Sequence, residues 1–237
     1  MNSSKLKVKI FADGANLETI RQLRSDPLIK GFTTNPTLMK QAGVSDYITF
    51  SRDAIEIING LPISLEVFSD DLVEMKRQAL ILSALGDNVF VKIPVTNSEK
   101  ISTAPLVKEL SMEGVQLNVT AMFTIAQTEI VLSALQNGPK SYISIFAGRI
   151  ADAGVDPMPI MTRALELLKP EPQIELIWAS PREVLNIVQA DIIGCHVITV
   201  THDLLKKLPG LGKDLDQFSL ETVEMFTNDA RNAGYRI

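Results

Sequence analysis

Lys92 lies in the apolar run Asn88-Val-Phe-Val-Lys-Ile-Pro-Val-Thr96. Lysine is almost never fully buried without a partner or a purpose. Burial disfavours an ammonium and favours the neutral amine, and a desolvated amine is the nucleophile that forms a Schiff base with a carbonyl substrate. The plain alternative is a lysine whose head reaches solvent or an acid at the end of its strand. Polar residues recur at the ends of the other apolar runs: Asp13, Asn35, Glu66, Asn118 with Thr120, Ser144 with Arg149, and Ser180 with Arg182. Their chemistry is coherent as a set. A lysine forms the imine and two carboxylates move protons. Amides and hydroxyls hold a polyhydroxylated substrate, and two arginines grip a phosphate in fork-like charged contacts. Taken singly, each has a structural reading too. Asp13 and Ser180 suit helix N-caps, Asn35 before Pro36 suits a turn, and the arginines suit a solvated surface.

The elements that must position this set follow from hydrophobic periodicity. Short runs rich in β-branched residues predict strands at 7–13, 28–34, 62–68, 88–96, 115–119, 142–146 and 173–179, with an eighth inside 191–200. Pro94 ends the fourth. Helical spacing predicts helices at 17–24, 37–41 (opened by Pro36), 46–59, 70–85, 98–112, 124–136, 160–168, from 181 onward, at 202–207 and at 219–232. The segment 147–159, with Gly148, Gly154 and two prolines, reads as a loop. Eight strands alternating with helices, joined by short connections, predict one (β/α)8 barrel domain over 1–237. A short helix after the second strand and a C-terminal helix are additions to the eight units. In such a barrel chemistry sits where strands run into the following helices, which is where the polar set lies.

Composition narrows the function. The chain has 237 residues, 46% of them hydrophobic, enough for one substantial core. It carries 23 basic and 28 acidic residues, net −5, with no basic tract to suggest nucleic acid or an anionic membrane. Cys195 is the only cysteine, so no intrachain disulfide forms, as suits a reducing cytoplasm. The N-terminal stretch lacks the long apolar core of a signal peptide, and no run of about 18 apolar residues predicts a transmembrane helix. His196 and His202 have no ligand cluster around them, so no metal is expected. No Gly-x-Gly-x-x-Gly or Walker loop follows any strand, so a nucleotide fold has no support.

Five motifs then carry a resemblance over almost the whole chain: Gly31-Phe-Thr-Thr-Asn-Pro-Thr-Leu38, Val91-Lys-Ile-Pro-Val-Thr96, Gly114-Val-Gln-Leu-Asn-Val-Thr120, Ser144-Ile-Phe-Ala-Gly-Arg-Ile150 and Ala179-Ser-Pro-Arg182. The chain resembles the transaldolase family, in its short, single-barrel subfamily. The resemblance implies that Lys92 is the Schiff-base lysine and that Asp13 handles the hydroxyl proton during carbon–carbon cleavage. It implies that Glu66 and Thr120 hold a catalytic water, that Asn35, Asn118 and Ser144 grip a dihydroxyacetone unit, and that Arg149, Ser180 and Arg182 bind phosphate. The implied reaction transfers dihydroxyacetone from sedoheptulose 7-phosphate to glyceraldehyde 3-phosphate, in the non-oxidative pentose phosphate pathway, with no cofactor or metal. The alternative is a fructose 6-phosphate aldolase that releases dihydroxyacetone. Those aldolases typically carry Gln and Tyr where this chain has Glu66 and Phe146, so it resembles transaldolases at both positions. It departs from the family at Asp13-Gly-Ala-Asn16, where a Thr- or Ser-containing turn is commoner, and at Pro181, where longer members tend to have an aromatic. Short members commonly form pentamers or decamers, so a homo-oligomer is expected, with the final helix a candidate contact.

Overall fold

In a strand, successive side chains point to opposite faces, so a closed sheet sorts every second residue inward. The computed structural model, which describes residues 5–237, shows this sorting in eight parallel strands. They are β1 (Lys9–Asp13), β2 (Ile29–Thr33), β3 (Ile63–Glu66), β4 (Val89–Pro94), β5 (Leu117–Met122), β6 (Ser141–Ile145), β7 (Ile174–Trp178) and β8 (Val197–Thr201). The strands pair in sequence order and β8 closes on β1, giving a (β/α)8 barrel. Outward residues such as Val91, Ile143 and Ile198 join the large core between sheet and helices. Inward residues Phe11, Phe90, Tyr142, Ile177 and Val197 fill the barrel's interior as a separate cluster. Two residues further along the same inward faces come Asp13, Lys92, Ser144, Ala179 and Thr199. The aromatic plug thus forms a floor, and the polar set stands on it. Gly31 serves the floor directly, since a Cβ there would lie 2.6 Å from the Phe11 ring.

The helices are α1 (Leu17–Arg24), α2 (Pro36–Gln41), α3 (Tyr47–Ile58), α4 (Leu72–Ser83), α5 (Ala104–Met112), α6 (Ile125–Leu135), α7 (Ala147–Asp152), α8 (Pro157–Leu168), α9 (Leu185–Ile192), α10 (His202–Leu205) and α11 (Leu215–Ala233). Four of the differences from the sequence reading each have a local reason. The 147–159 segment holds α7 and the start of α8: Gly148 is helical, and Pro157 opens α8 behind an Asp156 cap. Helix α5 begins at Ala104, because the Asn97 side chain accepts from the Glu99 and Ile101 amides and holds the preceding residues in a turn. After β7, α9 starts only at Leu185; Asn186 reaches back to accept from the Arg182 amide at 2.7 Å. Helix α11 starts at Leu215, four residues before the expected start, because Asp214 caps it, accepting from the Gln217 amide. No helix among the described residues is long and apolar enough to cross a membrane.

Candidate active site

Strand register sets the spacing of the site. Glu66 pairs with Lys92, and Lys92 with Asn118, so three neighbouring strands put a carboxylate, an amine and an amide on one level. Asp13 pairs with Thr33 on the opposite wall. A cleft of about 410 Å³ at this end of the barrel is lined by Asp13, Asn35, Glu66, Lys92, Asn118, Thr120, Ser144, Phe146, Arg149, Ser180 and Arg182. Every residue singled out from the sequence therefore faces one space.

Lys92 is only 7% exposed. Its Nζ lies 3.1 Å from Glu66 Oε2 and donates to the Thr34 carbonyl at 3.0 Å. The amine thus has a carboxylate partner and a fixed direction, and Lys92 lines the cleft. Across the cavity, the Thr33 hydroxyl donates to Asp13 Oδ1 at 2.7 Å and also meets the Thr199 hydroxyl. Burial pushes the Asp13 carboxyl above the usual carboxylate range; the positive charge of Lys92 and the Thr33 hydrogen bond oppose that shift, and Glu66 adds to it. Asp13 is therefore suited to take up and return a proton.

A second chain of hydrogen bonds runs through the opposite wall. Ser144 Oγ donates to Asn118 Oδ1 at 2.7 Å, and Asn118 Nδ2 donates to Ser64 Oγ at 2.9 Å. All three residues are buried, so the Asn118 amide is held in one orientation. Thr120 Oγ1 is buried with no hydrogen-bond partner among the described residues. Thr120 thus keeps unused hydrogen-bonding capacity in a lining that Lys92 and Glu66 share. Asn35, read from the sequence as a turn residue, instead caps α2, its Oδ1 accepting from the Leu38 amide at 3.0 Å, and it also lines the cleft.

The arginines occupy the rim. Arg182 donates through Nε to Asp152 at 3.1 Å and makes a second contact through Nη2. The guanidinium of Arg149 lies 5.4 Å over the Phe146 ring. Ser180 adopts a left-handed conformation, φ 61°, and its carbonyl packs so close to Gly148 that a Cβ there would lie 1.6 Å from the oxygen. Gly148 thus lets the β6 and β7 ends approach and brings the two arginines to one side. Sequence reasoning missed Thr33, Ser64, Thr199 and Tyr47, whose hydroxyl donates to the Glu66 carbonyl at 3.0 Å. Thr33, Ser64 and Thr199 are signalled only by their inward phase, two residues from Gly31 or Glu66 or from Val197. Among the described residues, no group of three or more His, Cys, Asp or Glu side chains is placed to hold a metal ion.

Comparison with known proteins gives consistent matches. Residues 10–237 match the family model described as Transaldolase/Fructose-6-phosphate aldolase. A "Probable transaldolase" of Thermoanaerobacter sp. (strain X514) is 34% identical over 231 residues, covering 97% of this chain and 100% of that protein. One of Nitrosopumilus maritimus (strain SCM1) is 37% identical over 207 residues, covering 85% of this chain and 87% of that one. Among solved structures, the N-acetylneuraminate lyase of Mycoplasma synoviae aligns with a TM-score of 0.56 at 10% identity, over 96% of this chain and 80% of that one. A dihydrodipicolinate synthase family protein of Coccidioides immitis aligns with a TM-score of 0.60, also at 10% identity, over 96% and 77%. At that identity the likeness is one of fold.

Proposed function

Because the chain belongs to the transaldolase/fructose-6-phosphate aldolase family, we propose that it is a transaldolase, moving a dihydroxyacetone unit from sedoheptulose 7-phosphate to glyceraldehyde 3-phosphate through an imine on Lys92. The observation that carries this reading is the buried Lys92 amine, 3.1 Å from Glu66 in a cleft that Asp13 also lines. The Lys92 nitrogen adds to the ketone carbon, and water leaves as the imine forms. In this reading Glu66 and the Thr120 hydroxyl hold that water and pass its proton, which their shared place in the cleft lining supports. Asp13 takes the proton from the hydroxyl on the carbon beyond the bond that breaks, and the electron pair of that bond passes into the imine to give an enamine on Lys92. The first aldehyde leaves, and a second adds by the same steps in reverse. Asn118 and Ser144 hold the hydroxyls of the retained unit, and Arg149 and Arg182 hold the phosphate, a division that the shared cleft lining supports.

Borohydride trapping with fructose 6-phosphate, followed by peptide mass spectrometry, tests the reading. The expected adduct is on Lys92, and Lys92→Arg abolishes both adduct and turnover, because arginine stays protonated. An adduct on Lys76, Lys100 or Lys108 instead overturns it. Transfer is separated from release by omitting the acceptor. Glu66 can shuttle a proton that a glutamine could not, and Phe146 brings no phenol to the cleft; both favour transfer. Wild-type protein that cleaves fructose 6-phosphate as fast without an acceptor as with one is an aldolase. The pair Glu66→Gln with Phe146→Tyr is expected to raise the share of free dihydroxyacetone. The reading includes self-association through α11, whose side chains pack on no part of their own barrel deeply enough to be buried.

A further inference from the structure

The inward face of β8 contributes a hydroxyl that the reaction steps above leave without a task. We propose that Thr199 is a positioning residue for Asp13, acting through the hydroxyl of Thr33. Thr199 is 7% exposed and Thr33 3%. Thr199 pairs with Phe11 on β1, two residues before Asp13, and Thr33 pairs with Asp13 itself. The three side chains therefore stand side by side on β8, β2 and β1.

The direction of the chain follows from counting hydrogens. A hydroxyl has one proton to donate. Thr33 gives its proton to Asp13 Oδ1, at 2.7 Å. In its contact with Thr199, Thr33 can only accept, so Thr199 is the donor. The order is Thr199 to Thr33 to Asp13. Two effects follow. The Thr33 rotamer is held from both sides, which fixes Oδ1 and leaves Oδ2 for the substrate. A hydroxyl that accepts a hydrogen bond is also a better donor, since bonds in a chain polarise one another. The other groups acting on Asp13 are charged: Lys92 from β4 favours the carboxylate, and Glu66 from β3 opposes it. His202 and Asp203 of α10 line the adjoining cleft that Asp13 also faces. The two threonines add a neutral contribution on the side of the carboxylate, the form that accepts the substrate's proton.

The inference rests on the Lys92 imine reading, and its test separates the two. Release of glyceraldehyde 3-phosphate from fructose 6-phosphate, with erythrose 4-phosphate as acceptor, is followed across pH for wild type, T199V and T199S. Valine keeps the shape and removes the hydroxyl. T199V is expected to lower kcat roughly 3- to 10-fold, the worth of one hydrogen bond, and to move the acidic limb of kcat/KM to higher pH, while borohydride still traps the adduct on Lys92. T199S is expected to restore both. If valine does not pack, T199A removes the same hydroxyl and carries the same expectation. A hydroxyl-free variant with wild-type kcat and acidic limb overturns the role of Thr199. So does T199S as impaired as T199V, which assigns the effect to packing. Wild-type protein that traps no adduct overturns the functional reading itself; a wild-type adduct with an unmoved T199V profile overturns only the inference.

Discussion

Asp13 shows at the scale of one residue what the site costs the fold. Its carboxyl is raised above the ordinary range, chiefly by burial. A group bound more tightly to its proton in the folded state than in the unfolded one lends its full stability below the unfolded value. It loses that stability as pH rises through the folded value. At neutral pH, Asp13 is therefore a burden on the fold. Asp13→Asn is expected to melt at higher temperature than wild type at neutral pH, with the gap closing in acid, and to lose turnover. Thermal unfolding measured at both ends of that range checks it; a gap that grows on acidification contradicts the account. Arg182 gives a second prediction. Its half-exposed guanidinium is paired with Asp152. Arg182→Ala is expected to raise KM for phosphorylated substrates roughly 10- to 100-fold, taking a charged hydrogen bond as about 1.5–3 kcal/mol. Unphosphorylated acceptors should suffer far less, and equal loss for both kinds would assign the arginine another task.

At the scale of elements, the site depends on where strands stop and how closely their ends meet. Gly148 is the tightest such point: a Cβ would lie 1.6 Å from the Ser180 carbonyl, a backbone atom that has no side chain to swing aside. Gly148→Ala must push the start of α7 away from the end of β7, and with it Arg149 from Arg182. The expected result is a lower melting temperature together with a raised KM for phosphorylated substrates, read by thermal unfolding and steady-state kinetics on one preparation. An alanine variant with wild-type values on both would show that the ends have room to part. This contact also marks the limit of what the sequence could say. The eight strands and the polar residues just past their ends, from Asp13 to Arg182, were legible, because short apolar runs and strand-end polarity are local patterns. Helix α7 was not legible: Gly148 and the nearby prolines look like breakers, and its reason for being glycine lies 32 positions away at Ser180. The Thr199–Thr33–Asp13 chain was hidden for the same reason. Its members are spread over three strands and meet only when β8 closes on β1.

At the scale of the whole molecule, α11 is the part that the barrel does not explain. It runs from Leu215 to Ala233, capped by Asp214 and stopped by Gly234 in a left-handed conformation, yet none of its residues is buried. Phe218, Val223 and Phe226 are 54%, 57% and 63% exposed, and Leu215 is 78% exposed. Positions 215, 218, 222 and 226 recur at three- and four-residue steps, which puts Leu215, Phe218 and Phe226 along one side of the helix. A stripe of this kind in water loses roughly 25 cal/mol for each Å² it leaves uncovered, and helices in proteins gain most of their stability from packing an apolar side. A helix that is well capped and apolar but unpacked on its own barrel is expected to pack on a second copy. Sedimentation of the intact protein is therefore expected to give a mass of several chains. Phe218→Asp combined with Phe226→Asp should lower that mass toward 26.0 kDa, the mass of one chain. The double variant leaves the barrel untouched, so circular dichroism should keep its barrel signal, with loss limited to the share contributed by α11. A wild-type protein that sediments as one chain, or a double variant with the wild-type mass, would show that α11 is not the contact between copies.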